Sequence, residues 1–232
     1  MAYVFSPVDR PSLPVQGSGS RFPLHRIYCI GRNYAEHSRE MGSDPRREAP
    51  CIFSKPADAA VDASGASAVS IAYPPRTGEL HHEIELVVAL GRGGNDISAA
   101  QAREHVFGFA AGVDLTRRDL QQEAGKQGLP WDTAKGFDGS APVSAIHALS
   151  ETGWPERGGI WLKVNGETRQ NADIADMIWN PGEVIAELST FFRLQAGDLI
   201  FTGTPAGVGP LQRGDRVEAG VDGVAELCFR IE

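Results

Sequence analysis

The sequence predicts a single β-rich α+β domain. Three observations carry that expectation. Strand-like stretches outnumber helical ones along the 232 residues. They do not alternate regularly with helices, which argues against a doubly wound parallel sheet. No internal repeat, low-complexity tract or linker divides the chain into equal parts, and its length suits one large domain with a real core.

In chain order, residues 6–23 are rich in Pro, Ser and Gly and read as an extended lead-in, so residues 1–23 are set apart as an N-terminal extension. Arg26 to Ile30 is a strand ended by Gly31, and Asn33 to Met41 a short polar helix. Cys51 to Ser54 is a strand closed by Lys55-Pro56. Residues 57–82 are mostly small and turn-forming. Glu83 to Leu90, dominated by Val and Leu, is strongly strand-like. Ser98 to Gln101 fits a capping box opening a helix through His105. Phe107 to Leu115 is a buried strand, Thr116 to Lys126 is helix-compatible, and 127–142 reads as a long loop. Ile160 to Val164 and Glu167 to Arg169 flank Asn165-Gly166, the preferred two-residue hairpin turn. Pro181 to Leu194 is the clearest helix, with Val184, Ile185, Leu188, Phe191 and Phe192 on one face and Gly197 beyond its end. Asp198 to Gly203, Arg213 to Ala219 and Val224 to Ile231 complete the strands.

Thirty acidic against 22 basic residues leave a formal charge of −8. That balance lacks the basic footprint of a nucleic-acid binder. No apolar run approaches the roughly 18 residues of a membrane helix, and no secretory leader is legible at Met1 to Arg10. Cys29, Cys51 and Cys228 are odd in number, far apart and without a C-x-x-C pair, which points away from a zinc ribbon or disulfide framework and toward a reducing cytoplasm.

Four features carry chemistry. Glu83 and Glu85 are i and i+2 on a strand and share a face. Two carboxylates on an apolar strand repel each other and are costly to desolvate, and a divalent cation relieves both problems; a solvent-facing strand is the plain alternative. Asp114 ends an apolar run and supplies a third carboxylate, where a turn cap is the plain alternative. Three carboxylates with waters suit a hard ion, Mg²⁺ or Mn²⁺, rather than zinc, despite His81 and His82. His37 and Glu40, at i and i+3 on a helix, can form a carboxylate–imidazole pair able to activate water. Arg118 and Lys135 can bind a carboxylate or stabilise an enolate beside a metal; each taken alone is an ordinary surface charge. The loop Gly203 to Gly209 matches neither G-x-G-x-x-G nor a P-loop, but Thr204 and its backbone can hold an anion. No nucleophile elbow is present.

Together these segments resemble the fumarylacetoacetate hydrolase family. The resemblance rests on Gly31-Arg-Asn-Tyr-Ala-Glu-His37, Phe53-Ser-Lys-Pro56, His82-Glu83-Ile-Glu85-Leu, Gly112-Val-Asp114-Leu-Thr-Arg-Arg118-Asp-Leu-Gln121, Ala134-Lys135-Gly-Phe-Asp138, Trp161-Leu-Lys-Val-Asn-Gly166 and Phe201-Thr-Gly-Thr-Pro205-Ala-Gly-Val-Gly209, in order and at the family's spacing from about residue 24 onward. The short chain resembles the acylpyruvase branch, and its start and Met177-Ile-Trp resemble that branch's bacterial fumarylpyruvate hydrolases. The resemblance implies a mixed β-roll over residues 24–232 as the catalytic domain, usually a homodimer. It implies Glu83, Glu85 and Asp114 as ligands of Mg²⁺, with Mn²⁺ or Ca²⁺ as alternatives. It implies His37 and Glu40 as the water-activating dyad on a lid, Lys135 beside the developing enolate, and Arg118, Gln121 and Thr204 as substrate contacts. Arg118, Arg32 and the Arg46-Arg47 pair are the candidates for a distal carboxylate. The implied activity is hydrolysis of a 2,4-dioxo acid, fumarylpyruvate or maleylpyruvate, to pyruvate and a second acid, as in gentisate breakdown. Oxaloacetate decarboxylation, or isomerisation and decarboxylation of a related dioic acid, is the nearest alternative. A non-catalytic protein with structural Ca²⁺ is the alternative of a different class, and it gives no use to the dyad and Lys135.

Overall fold

The computed structural model describes residues 3–35, 49–65 and 67–232. The expected helix from Asn33 to Met41 falls outside these residues from position 36 onward, and His37, Glu40, Arg46 and Arg47 fall there too.

The centre is a mixed sheet whose main path runs β4 (Cys51–Lys55), β3 (Ile27–Gly31), β15 (Leu199–Phe201), β8 (Ile84–Leu90), β9 (Val106–Val113), β11 (Ala141–Val143) and β5 (Ala60–Asp62), with β12 (His147–Ala148) also on β9. β15 lies parallel to β3 and antiparallel to β8. A second sheet is ordered β14 (Glu167–Asp173), β13 (Gly159–Val164), β17 (Arg216–Val221), β18 (Ala225–Ile231) and β6 (Val69–Ile71). A third sheet has three strands, ordered β10 (Thr116–Arg117), β7 (Leu80–His82) and β16 (Gly209–Leu211). This is the β-rich, curled mixed sheet that the resemblance implied.

Every residue of β8 is buried. Leu86, Val88 and Leu90 enter one apolar cluster, which also receives Ile160, Leu162, Val217 and Phe229 of the second sheet. Val87 and Ala89 enter a second cluster with Cys29, Ala110, Leu199 and Phe201. The near-continuous apolar sequence of β8 reflects this two-sided burial. The lead-in pairs β1 (Ser12–Pro14) with β2 (Arg21–Pro23) and buries Leu13 and Phe22 in the second cluster.

The hairpin β13–β14 turns as its sequence dictates. Asn165 and Gly166 have φ of 53° and 84°, the two positive values of a type I′ turn. In β9, Gly112 faces Glu85 across the ladder. A Cβ there would stand 2.7 Å from Val87 and from the Phe201 ring, so only glycine permits this packing.

The helices are α1 (Arg118–Gln127), α2 (Asp132–Lys135), α3 (Leu149–Thr152) and α4 (Pro181–Phe191). Asn180 and Glu183 form a reciprocal capping box at the start of α4. Val184, Ile185 and Leu188 are buried as expected, but Phe191 and Phe192 are 64% and 38% exposed. The chain leaves the helix at Phe192, with φ −132° and ψ 140°, and the Phe192 ring packs on Tyr28 with centroids 5.0 Å apart. The expected capping box at Ser98 opens no α-helix. The Ser98 hydroxyl donates to the Gln101 side chain instead, and only a 3-10 turn, Ala102–His105, follows. The supposed loop 127–142 contains α2 and β11, and the turn-forming stretch 57–82 contains β5, β6 and β7. Elements this short leave no periodicity to read. Among the described residues no helix is long and apolar enough to cross a membrane.

Candidate active site

The β8–β9 ladder assembles the acids. Ile84 pairs with Val113 and Glu85 with Gly112, and the Asp114 N–H donates to the Glu83 carbonyl at 2.8 Å. Glu83, Glu85 and Asp114 thereby converge, 5%, 2% and 0% exposed, with one carboxylate oxygen of each within 4.8 Å of the others. Burial, reinforced by Asp114 and Glu83, pushes the Glu85 carboxyl well above the ordinary carboxylate range. The Gly203 N–H opposes that shift by donating to Glu85 Oε2 at 2.6 Å. Gly203 has φ +98°, and a Cβ there would meet Asn33 Cβ at 2.6 Å. The backbone reaches Glu85 because this position is glycine.

Cations interleave the acids. Lys135 Nζ donates to Glu83 Oε2 at 2.9 Å, Asp114 Oδ2 at 2.6 Å and Thr116 Oγ1 at 2.7 Å. Burial alone would lower its pKa, but Asp114 and Glu83 outweigh that and raise it. Arg118, itself buried, donates to Glu83 Oε1 and to Gln121 Oε1. These two residues are i and i+3 on the first turn of α1, so one helix face presents both. Burial and the neighbouring Arg118 lower the His81 imidazole to about 4, which keeps it neutral at pH 7. Lys55 Nζ lies 2.7 Å from Asp114 Oδ1 as an ion pair off the line of a hydrogen bond, since that oxygen accepts none.

The donor set fits a divalent cation. Three buried carboxylates converge, Asp114 Oδ1 lacks an aligned donor, and among the described residues no nitrogen or sulfur ligand joins them. All-oxygen sites of this kind suit hard ions.

Beside the acids opens a cavity of about 160 Å³. Glu83, Glu85 and Lys135 line it together with Arg118, Gln121 and Thr204. Phe53 and Trp131, with ring centroids 5.7 Å apart, form an apolar wall. Arg32 also lines the cavity, with a positive φ of 62° that places a non-glycine residue in the left-handed region. Thr204 is fixed from behind, where Gln170 Nε2 donates to its hydroxyl at 2.8 Å and Gln170 Oε1 lies 2.9 Å from His82 Nδ1.

The structure therefore brings eight of the sequence-predicted residues together: Glu83, Glu85, Asp114, Lys135, Arg118, Gln121, Thr204 and Arg32. The dyad His37 and Glu40 lies outside the described residues. Lys135 and Arg118 were expected on the substrate side; each is also ion-paired to the acids. Sequence reasoning did not single out Lys55, Thr116, Gly203 or Gln170. Lys55 left one signal, its place in the Phe53-Ser-Lys-Pro56 stretch that closes a strand.

The fumarylacetoacetate (FAA) hydrolase C-terminal family matches residues 26–232. The chain belongs to the fumarylacetoacetate hydrolase family. Within it, the mitochondrial oxaloacetate tautomerase of Mus musculus is 44% identical over 206 residues, covering 89% of this chain and 91% of that protein. The fumarylpyruvate hydrolase of a Ralstonia species is 46% identical over 165 residues, covering 71% and 85%. The crystal structure of fumarylpyruvate hydrolase from Pseudomonas aeruginosa in complex with Mn²⁺ and pyruvate is 50% identical, with a TM-score of 0.97 over 99% of both chains. These likenesses set the chain in the acylpyruvase branch of the family, among enzymes that hydrolyse carbon–carbon bonds. A divalent metal in that relative agrees with the acidic cluster here.

Proposed function

We propose that this enzyme hydrolyses the C–C bond of an acylpyruvate, with fumarylpyruvate as the first candidate and maleylpyruvate as the second. The observation that carries the reading is the set of Glu83, Glu85 and Asp114 interleaved with Lys135 and Arg118 beside a small cavity. The 50% identical relative that holds Mn²⁺ and pyruvate supports it.

Glu83, Glu85 and Asp114 would hold the cation, Mg²⁺ in our reading, with Mn²⁺ or Ca²⁺ as substitutes. When bound, a divalent ion polarises a carbonyl and offsets negative charge at the pyruvyl end of the substrate. The remaining work falls to the chain. Gln121 and Thr204 orient the pyruvyl group, and Phe53 and Trp131 keep bulk water from the acyl chain. His37, oriented by Glu40, takes a proton from water, and the hydroxide adds to the C4 carbonyl. The C3–C4 bond then breaks and its electron pair enters the pyruvate enolate. Lys135 faces that developing charge. A proton delivered to C3 completes pyruvate, and the acyl part leaves as a carboxylic acid. Arg32, at the exposed side of the cavity, pairs with a distal carboxylate. We take the working form to be a cytoplasmic homodimer.

The test follows the enol absorbance of fumarylpyruvate, maleylpyruvate and acetylpyruvate, with EDTA and with added Mg²⁺. Metal-dependent loss, with pyruvate and acid formed in equal amounts, is expected, and no turnover of any of the three by folded, metal-replete protein rejects the reading. His37→Ala should abolish turnover while Mn²⁺ still binds by calorimetry; joint loss of both would remove His37 from its role. The 44% identity to an oxaloacetate tautomerase supports a second reading, proton transfer on oxaloacetate. Enol–keto interconversion of oxaloacetate without bond cleavage, in protein inert toward acylpyruvates, would select it.

A further inference from the structure

Lys55 ends β4 with its side chain fully buried. Its ammonium touches Asp114 Oδ1 at 2.7 Å and donates to the Leu115 carbonyl at 3.3 Å and to the Lys135 carbonyl. It is not among the residues that line the substrate cavity. A buried ammonium is costly unless its charge is used. Its contacts grip the residue after Asp114 and the end of α2, so the lysine holds both a metal-ligand carboxylate and the backbone that carries Lys135.

The formal charges explain why a third cation is needed. Metal ligation requires ionised carboxylates, so Glu83, Glu85 and Asp114 contribute −3. Lys55, Lys135 and Arg118, all buried, contribute +3. The protein cluster then sums to zero. A divalent cation leaves it at +2, inside a site where charge is poorly screened. A 2-oxo acid such as pyruvate brings −1 at its chelating end. Its enolate, a carboxylate and an enolate oxygen on the same frame, brings −2 and restores neutrality. Without Lys55 the sum with metal is +1, which the keto acid already balances.

We infer that Lys55 is an electrostatic positioning residue that biases this site toward doubly charged ligands on the pyruvyl frame and so toward the enolate over the ground-state acid. Such a preference is differential binding, the form of binding energy that accelerates a reaction. The catalytic consequence rests on the acylpyruvate reading above; the binding preference does not.

The test uses ligands with no acyl–pyruvyl bond to cleave, so inactivity toward acylpyruvates leaves its outcome readable. Mn²⁺ binding is titrated by calorimetry alone, with oxalate, a stable dianion on the enolate's frame, and with pyruvate, each corrected for complexation in buffer. In the native protein oxalate should tighten Mn²⁺ about tenfold more than pyruvate does, within the usual range of coupling between sites. In Lys55→Met that preference should collapse to about threefold or less, while Mn²⁺ alone binds more tightly. Lys55→Arg should retain the native preference, which a merely structural role in packing β4 does not predict. A native preference no larger than that in buffer overturns the inference without recourse to any variant. So does a Lys55→Met protein, folded by circular dichroism, with the native preference intact.

Discussion

The ladders β8–β9 and β13–β14 use the same acid in opposite ways. On β14, Glu167 is exposed and pairs with Arg169 at 3.1 Å, both side chains more than half in solvent. Water screens that pair, and its net worth is close to nothing. On β8, Glu85 is buried with two other carboxylates at hand. There repulsion and desolvation are expensive, and the chain meets the cost with buried cations and the Gly203 amide. The contrast separates a carboxylate placed for solubility from one placed for binding. It also sets how each should respond to change.

The largest effect is expected at Glu85. Glu85→Gln should weaken Mn²⁺ binding by at least about 100-fold in calorimetric titration while the melting temperature holds or rises, because the repulsion with Asp114 and Glu83 is relieved. A fall in both would mean that Glu85 is structural. Next is Gly112→Ala, opposite Glu85. The added Cβ has no room beside Val87 and Phe201, and a loss of about 1–3 kcal/mol is expected in urea unfolding. Asn165→Ala, in the type I′ turn of the exposed hairpin, should cost about 1 kcal/mol, since alanine tolerates the positive φ less well and loses the side-chain bonds to Asp215 and to the Arg216 N–H. The smallest effect is Glu167→Gln, within about 0.5 kcal/mol of native stability and without effect on Mn²⁺.

The same contrast explains what the sequence disclosed. β13 alternates partly buried and buried residues from Gly159 to Val164, and Asn165-Gly166 declares its turn, so that hairpin is legible at once. β8 does not alternate, because both its faces are covered. Its acids stand out for that reason, and Glu83, Glu85 and Asp114 could be selected before any coordinates. Lys55 could not. Its partner Asp114 is 59 positions away, and strand pairing alone joins them. Thr116 and Gln170 act through contacts of the same long-range kind. Phe192 shows the opposite failure: the apolar pattern ran on in the sequence one residue past Phe191, where the helix ends.

The position of β15 has a consequence for the order in which the molecule can be made. Leu199, Ile200 and Phe201 fill the gap between Ile27–Cys29 and Val87–Ala89, and the amide that holds Glu85 follows at Gly203. A ribosome that has extruded residues 1–190 has released both neighbours of this strand but not the strand. Two segments that will flank it must therefore wait, unpaired on those edges, for the last part of the message to be read. Non-local pairing of this kind slows folding and lengthens the exposure of sticky edges. The site would close only after synthesis has passed Gly203, so a chain truncated before that residue should bind Mn²⁺ more weakly than the whole protein.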